Sequence, residues 1–506
     1  MSFITDPSQR QATALPAKPF QGRLLIDGQW VDAEDGARME RLSPAHDVVV
    51  GSYALAGEAD TERAILAARN AFDRGPWPHM KGADRATVLR RAAEAIERRS
   101  EELALLETLE NGKPLTQSRA EIAAAADLWH YAAALARNLH GDSYNTLGST
   151  TLGVVLRDPV GVVSVITPWN FPFLIVSQKL PFALAAGCTT VVKPAEVTSG
   201  TTVLLGEILQ EADIPPGVVN ILVGKGSVVG DLLVQHPAVD MVSFTGSTVI
   251  GKAAVAKAAG TLKKVSMELG GKNPQIVFAD CDWDAALDAA VFGIYFNAGQ
   301  CCNSGSRLLV QRDIADKFTQ AVIERSRQVL VGDPLDPRTK YGAITTEKQM
   351  QTILGYVQQA NSAGADVCLG GKRIDTPRGM YMEPTVIRNV SRDMSVAKEE
   401  IFGPVLSVLT FADVAEAVDI ANDTLYGLSA GVWSRGIDTC LTAARHIKAG
   451  TVWVNTFLEG HAELPFGGYH ESGIGRELGR FAVEDYTEHK TVHIHLGERT
   501  DWWMPR

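Results

Sequence analysis

The sequence predicts an α/β protein with two domains, each built on a sheet of largely parallel strands, and a cleft between them. Its 506 residues exceed what a single hydrophobic core ordinarily holds. From Pro159 onward, short runs rich in β-branched residues alternate with helical stretches, and the alternation resumes after Asn273 and continues to about Phe466. Parallel strands need crossover helices, so each alternating block predicts a sheet with helices packed on it.

The region ahead of the first block predicts an arm, a strand pair and three helices. Residues 1–23 are polar and aperiodic, which indicates an N-terminal arm. A strand pair is expected over 24–31, because Asp27 and Gly28 form a turn signal between apolar residues. The expected helices run from the candidate N-cap Asp60 to Gly75, over 85–99 and over 100–111.

The first alternating block predicts a Rossmann-like sheet. Its expected strands cover residues 162–166, 190–192, 219–223, 241–244 and 264–267. Helices are expected over 174–186 and 199–212, where the apolar residues recur at helical spacing. Short strands joined by helices of this length are typical of a doubly wound α/β domain.

Composition narrows the functional classes. The formal net charge of −11 argues against nucleic acid as a partner, because a phosphate backbone needs a basic surface. Neither an N-terminal apolar signal core nor a run of eighteen apolar residues is present, so a cytoplasmic protein without a membrane partner is expected. The six cysteines show no CxxC or zinc spacing, which favours reduced thiols. They are Cys188, Cys281, Cys301, Cys302, Cys368 and Cys440.

The end of the chain predicts one more strand. Residues 491–496 alternate polar and apolar side chains, which is typical of a half-buried strand. His493 and His495 then share its polar face, and with His489 they could be interpreted as metal ligands. No carboxylate or cysteine spacing supports such a site, so solvent-exposed histidines and no metal are expected.

Two short segments contain the candidate chemistry. Cys302 lies in Phe-Asn-Ala-Gly-Gln-Cys-Cys-Asn and Glu268 in Met-Glu-Leu-Gly-Gly-Lys-Asn-Pro. A cysteine attacks only as thiolate, so it needs a group that lowers its pKa or accepts its proton. No histidine lies within thirty residues of Cys302, whereas a carboxylate such as Glu268 could serve as the base. Taken alone, such a cysteine more often only packs in the core, and such a glutamate more often marks the end of a strand.

The two segments resemble the signature stretches of the NAD(P)-dependent aldehyde dehydrogenase superfamily, of the non-acylating Cys/Glu type. Further motifs match in order from about Leu24 to Leu496. The resemblance implies a Rossmann-like cofactor domain, a second α/β catalytic domain and a small β oligomerisation arm, giving a homodimer or homotetramer. The expected parts are the arm 1–23, an NAD-binding domain 24–138 plus 159–270, a catalytic domain 271–470, and an oligomerisation arm 139–158 plus 485–506.

The resemblance also implies a reaction. Cys302 would attack an aldehyde, and the side chain of Asn170 with the backbone N–H of Cys302 would bind the oxyanion. After hydride loss, Glu268 would act as general base in the hydrolysis of the thioester. Lys179 and Glu477 match a proton path of the family, although a Lys and a Glu are more commonly a plain ion pair.

The cofactor implied is NAD. Gly226 lies in a GxGxxxG stretch that is one residue longer than the dinucleotide fingerprint and is weak evidence alone. The carboxylate of Glu196 would accept from both ribose hydroxyls and repel a 2′-phosphate, which favours NAD over NADP, although some relatives with this Glu use both. The candidate cofactor residues are Thr167, Trp169, Lys193, Glu196, Gly226, Gly246, Ser247, Gly251, Leu269, Glu400 and Phe402.

The substrate is expected to be a polar aldehyde of short to medium length. Gln178 occupies a position where relatives carry an aromatic residue or an Arg, and Gly460 stands where a wide apolar pocket would show a bulky ring. The loop over 455–465 is similar in part to that of the betaine-aldehyde type. Alternatives are a specific betaine-aldehyde or semialdehyde dehydrogenase, a CoA-acylating or thiol acyl-transfer enzyme, and a non-catalytic protein that kept the fold.

Overall fold

The structure, a computed structural model, describes residues 4–5, 15–499 and 502–504. Most of the predicted arm 1–23 therefore lies outside the described residues. Two large sheets dominate, and each is covered by helices that bury a hydrophobic core on its faces. The α/β prediction is confirmed.

The first sheet has eight strands, and its five central strands are parallel. In spatial order they are Gly473–Ile474, Lys264–Glu268, Met241–Thr245, Val162–Ile166, Thr189–Lys193, Val219–Ile221, Leu24–Ile26 and Gln29–Val31. The chain moves outward from Val162–Ile166 in one direction and then returns to add Met241–Thr245 on the other side. Such a reversal opens a crevice at the carboxyl ends of the two strands, where α/β proteins bind ligands.

The five helices predicted for this region are present within a few residues of their expected positions, as Glu58–Arg74, Gly82–Arg98, Ser100–Asn111, Pro172–Ala186 and Gly200–Glu211. The structure adds helices for which no range was predicted, namely Leu115–Asn138, Asp231–Gln235, Thr248–Ala258 and, from the end of the chain, Gly479–Asp485. Ser100–Asn111 ends as predicted, because Gly112 adopts a φ of +91° that terminates a helix in the left-handed conformation.

Two boundary predictions were wrong. Asp60 is not the N-cap, because the helix begins at Glu58 with Gly57 as the cap, and the Asp60 carboxylate instead accepts the Gly57 N–H at 3.0 Å. The strand predicted over 219–223 ends at Ile221, since the Val223 carbonyl leaves the sheet to accept the Ala56 N–H.

The second sheet has seven strands, six of them parallel. Their spatial order is Asp366–Leu369, Thr385–Arg388, Val405–Phe411, Arg307–Gln311, Pro274–Val277, Ser429–Trp433 and Thr451–Val454. Its helices are Trp283–Tyr295, Ala315–Ser326, Glu347–Ser362, Ser395–Lys398, Val414–Asn422 and Ile437–His446. Residues 269–273 join the carboxyl end of a first-sheet strand directly to the start of Pro274–Val277.

Two small three-stranded sheets complete the fold. One joins Phe20–Gly22, Val49–Ala54 and Arg38–Leu42, and the other joins Thr487–His495, Thr151–Pro159 and Asp142–Tyr144. In addition, Ile4–Thr5 pairs with Val331–Gly332. Thr487–His495 confirms the predicted terminal strand, which starts four residues earlier than 491. It is not half-buried in this chain, however, because even Ile494 is 39 % exposed.

His489, His493 and His495 are all exposed on this strand. Within the described ranges, no group of three His, Cys, Asp or Glu side chains is arranged to hold a metal ion. Among the helices of the same ranges, none combines the length and the apolar character needed to span a membrane.

Candidate active site

The predicted site residues meet where the first sheet reverses its strand order. Thr167, Trp169 and Asn170 follow the strand Val162–Ile166, and Glu268 closes the strand Lys264–Glu268. The second sheet supplies Cys302 from the loop before its strand Arg307–Gln311. The candidate site therefore lies between the carboxyl edge of one sheet and the amino edge of the other.

A left-handed arch precedes the candidate nucleophile. Asn297, Ala298 and Gly299 have φ values of 50°, 55° and 69°, of which only the glycine adopts such a conformation readily. The amide of Asn297 holds the arch, because its Nδ2 donates to the carbonyls of Asn170 at 3.0 Å and Gln300 at 3.1 Å. The arch is thus bonded to the segment that contains the candidate oxyanion residue.

Gly299 allows a close backbone contact. A Cβ at this position would lie 2.1 Å from the carbonyl oxygen of Gly403, a distance that no side chain can occupy. Gly403 directly follows Phe402, in the segment predicted to contact the nicotinamide end of the cofactor. The nucleophile loop and this segment consequently touch main chain to main chain.

Cys302 is partly buried and its loop is fixed by Asn273. Nδ2 of Asn273 donates to the carbonyls of Cys302 at 2.7 Å and Ser304 at 2.9 Å, and its Oδ1 accepts the Ser429 N–H at 3.1 Å. A hydrogen bond with the Cys301 thiol, together with burial and the charges of Glu400 and Glu268, raises the pKa of Cys302 well above its usual value. In this state Cys302 is a thiol that needs a base.

Glu268 is a buried carboxyl group without a hydrogen bond. It is 3 % exposed, and neither carboxyl oxygen has a partner among the described residues. Burial, reinforced by the charge of Glu477, raises its pKa well above the usual value, against the opposing effect of Lys179. A Cβ at Gly467 would lie 2.7 Å from Oε1, so the small residue leaves this carboxyl group room. Such a group holds its proton to higher pH than an exposed carboxyl group does.

The predicted pair of Lys179 and Glu477 is in direct contact and buried. Lys179 donates to Glu477 and also to Oγ of Ser243 at 3.3 Å, and Ser243 is 3.0 Å from the Tyr486 hydroxyl. Burial raises the pKa of Glu477, although Lys179 opposes this. Because the charges of both residues affect Glu268, the three ionisable groups form one buried network.

Asn170 is 3 % exposed, and its side chain has no hydrogen-bond partner in the described part of the chain. The residues around it pack against the nucleophile loop, since Phe171 and Ile175 contact Cys301. An amide with unused donors next to this loop is suited to bind an oxyanion.

The predicted ribose residues cluster at the ends of neighbouring strands. Lys193 and Glu196 lie 3.7 Å apart, and a carboxylate oxygen of Glu196 accepts the Gly226 N–H at 2.7 Å. Burial lowers the pKa of Lys193. The carbonyl of Lys193 accepts the Thr167 N–H, and Oγ1 of Thr167 is buried with no partner among the described residues.

The predicted phosphate residues form the start of the helix Thr248–Ala258. Ser247 is its N-cap and makes no side-chain cap hydrogen bond, so the first N–H groups of the helix are free to face an anion. Gly246 donates to the Glu268 carbonyl at 3.0 Å. A Cβ at Gly251 would lie 2.4 Å from Leu269, so this glycine lets the helix pack against the Glu268 strand exit.

Glu400 and Phe402 face the same strand exit. Glu400 accepts the Gly271 N–H at 3.0 Å, and burial raises its pKa to about 7. The ring of Phe402 meets Trp169 edge to face at 5.3 Å between centroids. The neighbouring Lys272 is 1 % exposed, and burial lowers its pKa to about 7.

Sequence reasoning missed the residues that hold these groups in place. Asn273 fixes the Cys302 loop and Asn297 fixes the arch, and both lie inside the quoted signature segments. The signal that could have identified these two residues is a polar side chain within a signature segment that is otherwise apolar or rich in glycine. A second set comprises the buried ionisable residues Glu107 and Glu121, which lie in two helices, and Lys113, which lies in the loop between those helices; no pattern distinguishes these residues from surface residues.

Known proteins are similar to this chain over most of its length. The model of the aldehyde dehydrogenase family matches residues 30–492. A betaine aldehyde dehydrogenase from Bacillus subtilis strain 168 is 40 % identical over 473 residues, covering 93 % of this chain and 96 % of that protein. An aldehyde dehydrogenase from Aspergillus niger is 42 % identical, covering 94 % and 95 %.

Solved structures are similar over the same length. A NAD-dependent aldehyde dehydrogenase from Sinorhizobium meliloti superposes with a TM-score of 0.97 at 49 % identity, covering 99 % of both chains. Betaine aldehyde dehydrogenase from Staphylococcus aureus, solved in complex with NAD+, gives a TM-score of 0.94 at 40 % identity, covering 96 % of this chain and 97 % of that one. The chain belongs to the aldehyde dehydrogenase family.

Proposed function

We propose that this protein oxidises a polar aldehyde to the carboxylic acid with NAD, using Cys302 as nucleophile and Glu268 as general base. The observation that carries the proposal is the buried, unpartnered carboxyl group of Glu268, whose charge affects the Cys302 thiol. A structural carboxyl group would be hydrogen-bonded, because burying one without partners destabilises the fold. A base that must accept and release a proton needs free oxygens.

The first half of the reaction forms a covalent adduct. Glu268 accepts the Cys302 proton and the sulfur attacks the aldehyde carbon, giving a thiohemiacetal whose oxyanion is bound by Asn170 and the Cys302 N–H. Bound NAD supplies the hydride acceptor, and loss of hydride leaves a thioester on Cys302. Glu268 passes the Cys302 proton on to Lys179 and Glu477 and is then free to accept a proton from water as the water attacks the thioester. The tetrahedral intermediate releases the acid and the Cys302 thiolate, which takes that second proton back from Glu268.

The chain has suitable groups for each part of NAD. The free N–H groups at Ser247 and Thr248 suit the pyrophosphate, and Lys193 with Glu196 suits the adenosine ribose. Oγ1 atoms of Thr167 and Thr245 are buried along the same edge and have no hydrogen-bond partner among the described residues, as expected where a polar ligand belongs. Glu400 would hold the nicotinamide ribose, and Phe402 would face the ring end beside Trp169. The surface of this proposed NAD site is shaped by Leu269, Gly226, Gly246 and Gly251.

The substrate class is proposed to be a short or medium polar aldehyde, with a cationic aldehyde as the favoured member. Two of the similar proteins are named betaine aldehyde dehydrogenases. In this chain Trp453 packs on Phe457 at 5.1 Å between centroids, and the exposed Glu459 accepts the indole N–H through its carbonyl. Aromatic faces favour a quaternary ammonium group through cation–π attraction.

We also propose a role for each domain of the chain. Residues 24–138 and 159–270 would bind NAD, 271–470 would supply the nucleophile, and 139–158 with 485–506 would join subunits. Thr487–His495 is an exposed edge strand, and such an edge is a ready template for pairing with a second copy. We propose a homodimer or homotetramer in the cytoplasm, where six unpaired cysteines remain reduced.

Substrate choice is measured directly through NADH absorbance with acetaldehyde, glycolaldehyde, succinic semialdehyde, betaine aldehyde, benzaldehyde and decanal, each with and without CoA. We expect turnover without CoA and a kcat/KM for betaine aldehyde or glycolaldehyde at least about tenfold above that for decanal, since mismatched apolar contacts change kcat/KM by this order. A preference for decanal would contradict the polar pocket. Activity only with CoA would instead favour the acylating alternative.

Cofactor preference is expected to depend on Glu196. Replacing it with serine removes the carboxylate that repels a 2′-phosphate, so the NAD over NADP preference in kcat/KM should fall by about tenfold or more, equivalent to about 1.4 kcal/mol. Steady-state kinetics with both cofactors measure the ratio. The matched control is Glu207→Ser. Glu207 lies on a nearby helix and pairs with Arg99 at the surface, so this variant should leave the ratio unchanged.

A further inference from the structure

A buried charged cluster lies beneath the segment that contains Asn170. Glu107, Lys113 and Glu121 are 0 %, 2 % and 6 % exposed. Lys113 Nζ is 2.9 Å from Glu107 Oε1 and is also hydrogen-bonded to Glu121. Buried charges destabilise a fold unless they are paired and hydrogen-bonded, so a cluster of three charges points to a specific task.

The cluster replaces a missing helix cap. The helix Pro172–Ala186 has Phe171 as its N-cap, which has no side-chain acceptor, and Pro172 has no N–H to satisfy. The two remaining free donors are taken by the cluster, because Glu107 accepts the Phe173 N–H at 3.4 Å and Glu121 accepts the Leu174 N–H at 3.1 Å. Carboxylates at this end also suit the helix dipole.

The same region holds the residues just before the helix. Lys113 Nζ lies 4.4 Å from the centroid of the Phe171 ring, within the range of a cation–π interaction. Asn111, two residues ahead of Lys113, donates to the Trp169 carbonyl at 2.8 Å. Together with Asn297 on the Asn170 carbonyl, these contacts fix the backbone on both sides of Asn170.

We propose that Glu107, Lys113 and Glu121 are positioning residues that hold Asn170 where it binds the oxyanion. None of the three approaches Cys302 or Glu268 through a hydrogen bond or ion pair in the described structure, so each acts through the backbone over 169–174. The inference rests on the oxyanion role proposed for Asn170. It predicts that weakening the cluster lowers the rate through Asn170 and not through the thiol or the cofactor.

A double-mutant cycle on the full-length enzyme tests the inference, with Glu121→Ala, Asn170→Ala and the double variant. A misplacement of about 1 Å at a reacting group can lower the rate by about 10²-fold, so we expect Glu121→Ala to lower kcat/KM for the aldehyde by about tenfold or more. In the Asn170→Ala background, Glu121→Ala should lower kcat/KM by less than about twofold, because the Asn170 side chain that the cluster positions is absent. The KM for NAD and the rate of Cys302 alkylation by iodoacetamide should stay within about twofold.

The controls separate positioning from general destabilisation. Glu110→Gln is the control, because Glu110 is 1 % exposed, lies on the same helix as Glu107 and accepts the first N–H of a different helix, that of Gly200, at 2.9 Å. Glu110→Gln should lower thermal stability, and its effect on kcat/KM should be the same in the parent and in the Asn170→Ala background. If Glu121→Ala fails to fold, Glu121→Gln and Glu107→Gln replace it in the cycle. Each keeps an acceptor oxygen but weakens the ion pair with Lys113, so a smaller loss of kcat/KM is expected that again depends on Asn170.

Equal losses from Glu121→Ala in both backgrounds, or a matching loss in the alkylation rate, would overturn the inference. An Asn170→Ala variant with normal kcat/KM would show that the oxyanion assignment itself is wrong, and the inference would fall with it. The two failures are therefore distinguishable.

Discussion

Replacing Cys302 with alanine is expected to abolish aldehyde-dependent NADH formation, a loss of at least about 10⁴-fold in kcat, because no other group can form the covalent adduct. NADH absorbance with the best aldehyde of the panel measures the loss, and binding of NAD should remain because the thiol is not among the cofactor residues. Residual turnover above about one per cent of the parent, with the same aldehyde, would contradict the assignment.

Cys301 offers a matched control one residue away. Cys301→Ala removes the hydrogen bond that raises the pKa of Cys302, so the pKa should fall and alkylation of Cys302 at neutral pH should become faster. NADH formation should persist. If instead Cys301→Ala abolished turnover and Cys302→Ala did not, the two roles would have to be exchanged.

Glu268→Gln is expected to lower steady-state turnover by about 10²- to 10⁴-fold, the range associated with loss of a general base. The amide is of similar size but accepts no proton, so both the attack of Cys302 on the aldehyde and the hydrolysis of the thioester should slow. Water is a weaker nucleophile than a thiol, so hydrolysis should slow more, and the thioester should accumulate after a slowed first burst of NADH. Rapid mixing measures the burst, and denatured protein analysed by mass spectrometry should carry the acyl group on Cys302. Hydroxylamine attacks a thioester without a base, so it should restore turnover as the hydroxamate is released.

The pH dependence follows from the raised pKa of Glu268. The base is active only when ionised, and burial holds the proton on it to higher pH than usual. Hydrolysis should therefore be slow in acid and accelerate as the pH rises through the raised pKa, and Glu268→Gln should remove this rise. A rate of hydrolysis in the parent that does not rise with pH would contradict this account.

Much of the first sheet could be predicted because fully buried parallel strands are nearly continuous runs of Val, Ile and Thr. The strand Val162–Ile166 is matched at both ends, and Thr189–Lys193 extends the prediction by one residue on each side. Helix starts were harder, because an Asp near an N-terminus serves equally well as cap or as third helical residue, which is how Asp60 was misplaced.

The residues that support the candidate site could not be predicted in the same way. Asn297 and Ala298 show no turn signature that demands two consecutive left-handed residues, since the conformation is imposed by contacts with distant segments. Glu107 and Glu121 resemble the polar faces of ordinary helices. Their burial depends on the helix Pro172–Ala186, some fifty residues or more further along the chain.

The contact between Gly299 and Gly403 has a consequence for how this enzyme can change its substrate. The spacing between the nucleophile loop and the Glu400 to Phe402 segment is set by main chain alone, so rotamer changes nearby do not alter it. Side chains that contact neither segment can therefore be exchanged while the two segments keep their separation. New specificities can arise by mutation at such positions, with the chemistry left intact.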